Sequence, residues 1–319
     1  MYLYTGYERQ VNPNADMSLE RKTMILKEQL DQADAVVIGA GSGLSTAAGY
    51  VYTGDRMEKY FGDFQKKYGI RDMYTAGFYP YQTMEEYLGF WCRYIWINRY
   101  APVPSDLYEK ILSLMQGKDY FVLTTNVDHC FQRAGFDKHH LFYTQGDYGL
   151  FQSYKPSGTS AHKTYDNEDI IRKMVLSEGY EIAENNELII PEGKEIRMTV
   201  PSELIPYCPD DGNLMTMNLR SDDTFVEDGG WHRAEHRYYD FMIRHKGLRV
   251  VYLELGVGMN TPVIIKFPFQ HFVSEDPKTF YACISYGQAS TGESIAGRSV
   301  CIDEGIEPVI NGLLAYRGE

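Results

Sequence analysis

Directly after a short apolar run at residues 35–38 (AVVI), the chain reads Gly39-Ala-Gly-Ser-Gly-Leu-Ser-Thr-Ala-Ala-Gly49. Glycines there let the backbone turn sharply and bring amide N–H groups and the start of a helix up to a phosphate. The pattern implies a pyrophosphate ligand, although the same glycines would also serve a merely tight strand-to-helix turn. The dinucleotide fingerprint GxGxxG fits poorly, because counting six from Gly39 ends on Leu44 and counting six from Gly41 ends on Thr46. A hydride-transferring enzyme is therefore disfavoured. A second constellation, Thr124-Thr-Asn-Val-Asp128, again follows an apolar run, YFVLT. Asn126 and Asp128 could orient a ribose or an amide there, or act only as turn and cap residues. Gln145-Gly146 follows, 19 positions after Asn126, at the end of another apolar segment.

These groups need a frame that brings strand ends together. Residues 18–30 carry a serine at an N-cap position followed by apolar residues at helical spacing, which predicts a helix. Short apolar runs at 35–38, 120–124, 141–143, 250–255 and 281–285 read as buried parallel strands, the last closing the sheet, with a helix over 106–115 between two of them. Strands alternating with helices predict a doubly wound, Rossmann-like α/β fold with ligand chemistry at the carboxyl ends of the strands. The expected division of the single 1–319 catalytic domain has a Rossmann-like part at about 18–50, 101–149 and 236–319. A helical insertion occupies about 51–100, and a smaller module about 150–235. Within that module, ELIIPEGKEIRMTVP and IPYCPDDGNLMTMNLR alternate apolar and polar residues around turn residues, which predicts short antiparallel strands, and the module is expected to combine them with helices.

Composition narrows the function classes. The formal charge of -13 opposes non-specific attraction to nucleic acid or an anionic membrane. Five cysteines without a CxxC pair suit a reducing compartment, and the opening MYLYTGYERQ is too polar for a signal peptide, so the expected location is cytoplasmic. Among 27 tyrosines, many fall between Tyr50 and Tyr100; they suit helix packing, or the wall of a partly wet cleft. His232 and His236 lie four apart on a predicted helix, but no glutamate completes an HExxH pattern, so a solvated helix face is expected.

Taken together and in order, these elements resemble the sirtuin family over roughly residues 20–315. The run from Gly41 to Tyr50 is similar to the family's GAGxSxxSGI element, Thr124 to Asp128 to its TQNxD element, and Arg133-Ala-Gly135 continues the match. Gly256-Val-Gly-Met259 resembles its phosphate turn, and Ser285 stands where the family has a ribose-binding asparagine. The resemblance implies NAD as cofactor, held by Ala40, Gly41, Ser42, Gly43, Ser45, Gly49, Tyr50, Thr125, Asn126, Asp128, Gln145, Gly256, Val257, Gly258, Met259 and Ser285. Asn126, Asp128 and Gln145 carry the catalytic expectation.

The departures from the family matter as much. Its catalytic histidine falls at Gln145, and an amide cannot take up a proton near neutral pH, so the base-assisted stage of deacylation should fail. Cleavage of the nicotinamide bond needs positioning and stabilisation of a cationic ribose, which requires no proton shuttle. Where the family binds zinc through two CxxC pairs, this chain keeps Cys208 with Asp211 in its partner's place; no metal is expected. The family's PDFR after the glycine loop is also absent, and Phe61 and Phe64 are the nearest aromatic candidates to cap the nicotinamide. Together these departures look like the macrodomain-linked class M subgroup. That resemblance implies mono-ADP-ribosylation of a lipoylated, glycine cleavage system H-like carrier protein, reversed by a partner macrodomain hydrolase. NAD hydrolysis and a catalytically silent NAD or ADP-ribose sensor are the alternatives, with a Rossmann dehydrogenase behind them.

Overall fold

The computed structural model describes residues 8–259 and 262–316; the opening of the polar N-terminal stretch lies outside the described residues. Helix α1 (Leu19–Gln32) starts as its sequence predicts, with the Ser18 hydroxyl accepting from the Arg21 N–H at 3.2 Å. It leads into β1 (Ala35–Ala40), the first of six parallel strands. The others are β2 (Tyr120–Thr124), β3 (Leu141–Tyr143), β4 (Val250–Leu255), β5 (Phe280–Ile284) and β6 (Ser299–Ile302). Their spatial order is β3-β2-β1-β4-β5-β6, the doubly wound arrangement, so the strand order reverses between β1 and β4.

Both faces of the sheet are covered, which is why its strands read as continuous apolar runs. On one face Val36 and Ile38 pack with Leu26 and Leu30 of α1, with Tyr108 and Ile111 of α2 (Leu107–Leu114), and with Ile310 of the C-terminal helix. On the other, Ala35 and Val37 pack with Tyr238 and Phe241 of α3 (Gly229–Arg244) and with Phe269 of α4 (Lys266–Glu275). Strand β6 corrects the expectation that the strand near 281–285 closes the sheet. It is four residues long and follows a 3-10 turn, so no length or turn signal set it apart in the sequence.

The remainder forms one further body. Residues 55–100 hold helices at Asp55–Tyr68, Met73–Ala76 and Met84–Ile95, the last running into a π-helical turn at Trp96–Tyr100, and their aromatic side chains pack together. Phe61 and Phe64 have no exposed surface and meet Phe90 at ring-centroid distances of 4.7 and 5.6 Å. They are core residues, which corrects their candidacy as a nicotinamide cap. The same cluster takes in Ile171 and Met174 of a helix at Glu168–Glu178, together with Met215 and Met217. A strand at Gly146–Ser153 pairs antiparallel with Met215–Leu219, so chain leaving β3 passes straight into the small sheet. Of the ELIIPEGKEIRMTVP stretch only Leu188–Ile189 is a strand, paired with Glu181–Ile182. Among the described residues no helix is long and apolar enough to cross a membrane.

Candidate functional site

Register places the chemistry. Ala40 of β1 stands beside Leu255 of β4 and Thr124 of β2, while Leu255 stands beside Ile284 of β5. Gly41, Thr125, Gly256 and Ser285 therefore leave the sheet along one edge, at the point where strand order reverses. This is where ligands bind in such sheets.

At the centre the glycine loop and the Gly256 turn are interlocked. The N–H groups of Gly41 and Gly43 donate to Leu255 O at 3.0 Å and Gly256 O at 2.9 Å, so these two amides fasten the loop to the turn. A Cβ on Gly41 would lie 2.7 Å from Gly256 O, and one on Gly43 2.8 Å from Gly256 Cα. Only bare backbone fits at either position, so loop and turn meet backbone to backbone and form the floor of the switch-point cradle. Ser42 is exposed beside it, Val257 is buried in the core, Gly258 is half-buried near Gln288, and Met259 is 48% exposed. Ser285 is buried, its N–H donating to Ile302 O at 3.2 Å. Gly43→Ala is expected to weaken NAD binding at least about tenfold and to lower stability by about 1–3 kcal/mol, because neither backbone can yield. Calorimetric titration with NAD and a thermal melt would check both.

Asn126 and Asp128 stand beside this cradle, both largely buried. The Asn126 amide donates to Gly41 O at 2.9 Å, and its backbone N–H donates to the Thr124 hydroxyl at 3.0 Å. Asp128 accepts from the Ser45 hydroxyl at 2.5 Å and from the Cys130 N–H at 3.0 Å. Burial pushes its carboxyl above the ordinary aspartate value, against the pull of those two donors, and the charge of Asp147 adds to the rise. Ala40, Ser45 and Tyr50 are buried and support the site from behind, and Tyr50 carries its hydroxyl near Cys130 and Arg133 with no hydrogen-bond partner. Gly49 closes the loop against Pro104, and Thr125 bonds its N–H to Ala40 O at 3.0 Å.

Gln145 follows β3 at the same edge, half-buried, its side-chain amide donating to the Thr144 hydroxyl at 3.4 Å. Its position is set from two sides: Arg220 N–H, just after the small-sheet strand, donates to Gln145 O at 3.0 Å, and Trp231 Nε1 of α3 donates to Thr144 O at 3.2 Å. The next residue, Gly146, has φ of 99° and passes so close to Asn218 O that no side chain fits.

Some of the surrounding residues had no sequence signal. His129, held at φ of 65°, donates from Nδ1 to Asp147 Oδ2 at 2.7 Å, and Arg99 donates to Asp147 Oδ1 at 2.6 Å. Burial penalises the Asp147 carboxylate, but His129 and Arg99 outweigh it and hold the carboxyl below the ordinary value. His139 and His140 sit in the turn that enters β3, at its other end from Gln145. Tyr108, on α2, reaches the Ser45 hydroxyl at 3.4 Å. The zinc position of the resemblance is a hydrogen-bonded knot: Cys208 donates to the Tyr165 hydroxyl at 3.3 Å, Tyr165 to Asp210 at 2.5 Å, and Ser160 to Asp211 at 2.5 Å. No group of three or more His, Cys, Asp or Glu is placed to hold a metal among the described residues. His232 and His236 are exposed on α3, as expected of a solvated face.

No family model matches the chain. A Staphylococcus aureus (strain Mu50) protein named protein ADP-ribosyltransferase is 34% identical over 291 residues, which are 91% of this chain and 86% of the relative. A Fusarium oxysporum f. sp. cubense protein named probable bifunctional ADP-ribose hydrolase/ADP-ribosyltransferase is 26% identical over 269 residues, 82% of this chain and 40% of that longer relative. Among solved structures, one described as showing the structural basis of sirtuin substrate affinity superposes with a TM-score of 0.54 at 16% identity, covering 92% of this chain and 97% of its own. Sir2 with a p53 peptide and NAD+ gives 0.51 at 15% identity, covering 91% and 96%. The structural likeness establishes the fold.

Proposed function

The chain belongs to the protein ADP-ribosyltransferase family, built on a sirtuin fold, and from that premise we propose that it transfers one ADP-ribosyl group from NAD to a lipoylated, glycine cleavage system H-like carrier protein, releasing nicotinamide. The observation that carries the reading is the junction of the glycine-only cradle with buried Asn126 and Asp128 at the sheet's switch point, flanked by an amide at Gln145.

In the proposed reaction the bond between the ribosyl carbon and nicotinamide breaks, its electron pair leaving with nicotinamide, and the acceptor nucleophile bonds to that carbon and gives up its proton to solvent. The chain's residues bind and orient. Gly41, Gly43 and Gly256 admit the pyrophosphate; Asn126 and Asp128 place the nicotinamide and its ribose; Gln145 hydrogen-bonds a ribose hydroxyl without moving a proton. The fungal relative's name joins an ADP-ribose hydrolase to a transferase, which is in keeping with a macrodomain hydrolase as the partner that reverses the modification.

Incubation with labelled NAD and lipoylated carrier, followed by intact-mass analysis, tests the proposal. One added ADP-ribose on the carrier is the expected result. Free ADP-ribose beside unmodified carrier would instead mean NAD hydrolysis, and tight NAD binding without nicotinamide release would mean a sensor.

A further inference from the structure

Behind the Asn126–Asp128 pair stands a phenol that no motif contains. Tyr108 opens α2, is 1% exposed, and packs its ring edge-on against Phe131 with centroids 4.9 Å apart. Its hydroxyl meets Ser45 Oγ at 3.4 Å. Ser45 in turn donates its only hydroxyl proton to Asp128 Oδ2. A hydroxyl that gives away its proton has two lone pairs left, and Tyr108 is placed to donate to one of them. Burial, with the charge of Asp128 next, keeps the phenol protonated, so it remains a donor.

We infer that Tyr108 is a positioning residue for cleavage of the nicotinamide bond. Its hydroxyl fixes Ser45, and Ser45 fixes Asp128, so the carboxylate of the site takes its orientation from one point on α2. Asp128 thereby keeps Oδ2 on Ser45 and Oδ1 on the Cys130 N–H, beside Asn126 Nδ2 on Gly41 O. Neither group has to be ordered when the ligand arrives, which favours the transition state over simple ligand binding. The inference rests on the transferase reading of this site and adds a residue to it.

Tyr108→Phe removes the hydroxyl and keeps the ring on Phe131. With nicotinamide release as the assay, kcat is expected to fall about tenfold while KM for NAD changes less than about twofold, the size of one lost buried hydrogen bond. A residue that only filled the core would lower the melting temperature and leave kcat per folded molecule untouched. Ser45→Ala should show the same kcat loss, and the double variant should fall no further than the worse single variant, since the two act through one relay. Ser45→Thr, which keeps a hydroxyl between Tyr108 and Asp128, approaches the relay without touching the phenol and should retain more kcat than Ser45→Ala. Unchanged kcat in Tyr108→Phe, additive losses in the double variant, or equal kcat in Ser45→Thr and Ser45→Ala would each overturn the inference. Asn126→Ala separates the two levels of argument. If it turns over fully, the site reading fails; if it is dead while Tyr108→Phe is fully active, only the role of Tyr108 fails.

Discussion

Asn126→Ala is expected to reduce nicotinamide release and carrier labelling by about 10²–10³-fold, the usual consequence of deleting one preorganised polar group at a reacting centre. The fold should survive, because the contact that shapes this turn belongs to the backbone. The Asn126 N–H donates to the Thr124 hydroxyl, and the neighbouring Thr125 N–H donates to Ala40 O. What alanine removes is the amide that bridges to Gly41 O, joining β2 to the glycine loop across the cradle. Loss of that donor leaves Gly41 O with one partner fewer in a buried place, which should lower the melting temperature by only a few degrees. Labelled-NAD turnover and a thermal melt on the same preparation are sufficient. Full turnover would show that the chemistry lies elsewhere in the molecule.

Arg93→Ala should be the most destabilising single change in the helical body, by about 3–5 kcal/mol, because it strands a buried charge. Arg93 is 1% exposed. Its Nε donates to Glu178 at 2.8 Å, Nη1 to Asp63 and Tyr60 O at 2.9 Å, and Nη2 to Arg197 O at 2.7 Å. Glu178 has no exposed surface, and burial pushes its carboxyl up to about 7 even with the guanidinium beside it. These bonds tie the helix at Met84–Ile95 to the Glu168–Glu178 helix and to the loop at Arg197, so one side chain braces both halves of the second body. Urea unfolding followed by tryptophan fluorescence suits the test, since Trp91 and Trp96 both lie in this body. A change under about 1 kcal/mol would mean that the aromatic cluster alone holds the body together.

Much of the doubly wound part was legible. Runs such as AVVI and VVYLEL are buried on both faces and carry their strand identity locally, and Ser18 caps α1 through a residue three positions away. Strand β6 and the Glu168–Glu178 helix were not legible. The first is too short for periodicity to register; the second carries Ile171, Met174 and Val175 at helical spacing before Gly179, but stands alone among short strands and turns. The candidate site divides the same way. Gly41, Gly43, Asn126, Asp128 and Gln145 could be picked out because each follows an apolar strand at close range. Phe61 and Phe64 were misjudged because nearness in sequence to the glycine loop says nothing about which way a ring turns, and the aromatic cluster turned both inward.

The sequence by itself determined five of the six strands, the glycine-rich turn that follows the first of them, and the absence of an imidazole at Gln145, because each is written in adjacent residues. Only the tertiary structure decided what stands behind them: Tyr108 against Ser45, Asp147 between His129 and Arg99, Gly256 against Gly43. Those pairings join residues 18 to 213 positions apart, and no local preference encodes them. They follow from strand order and register, which bring distant chain ends to one edge of a single sheet.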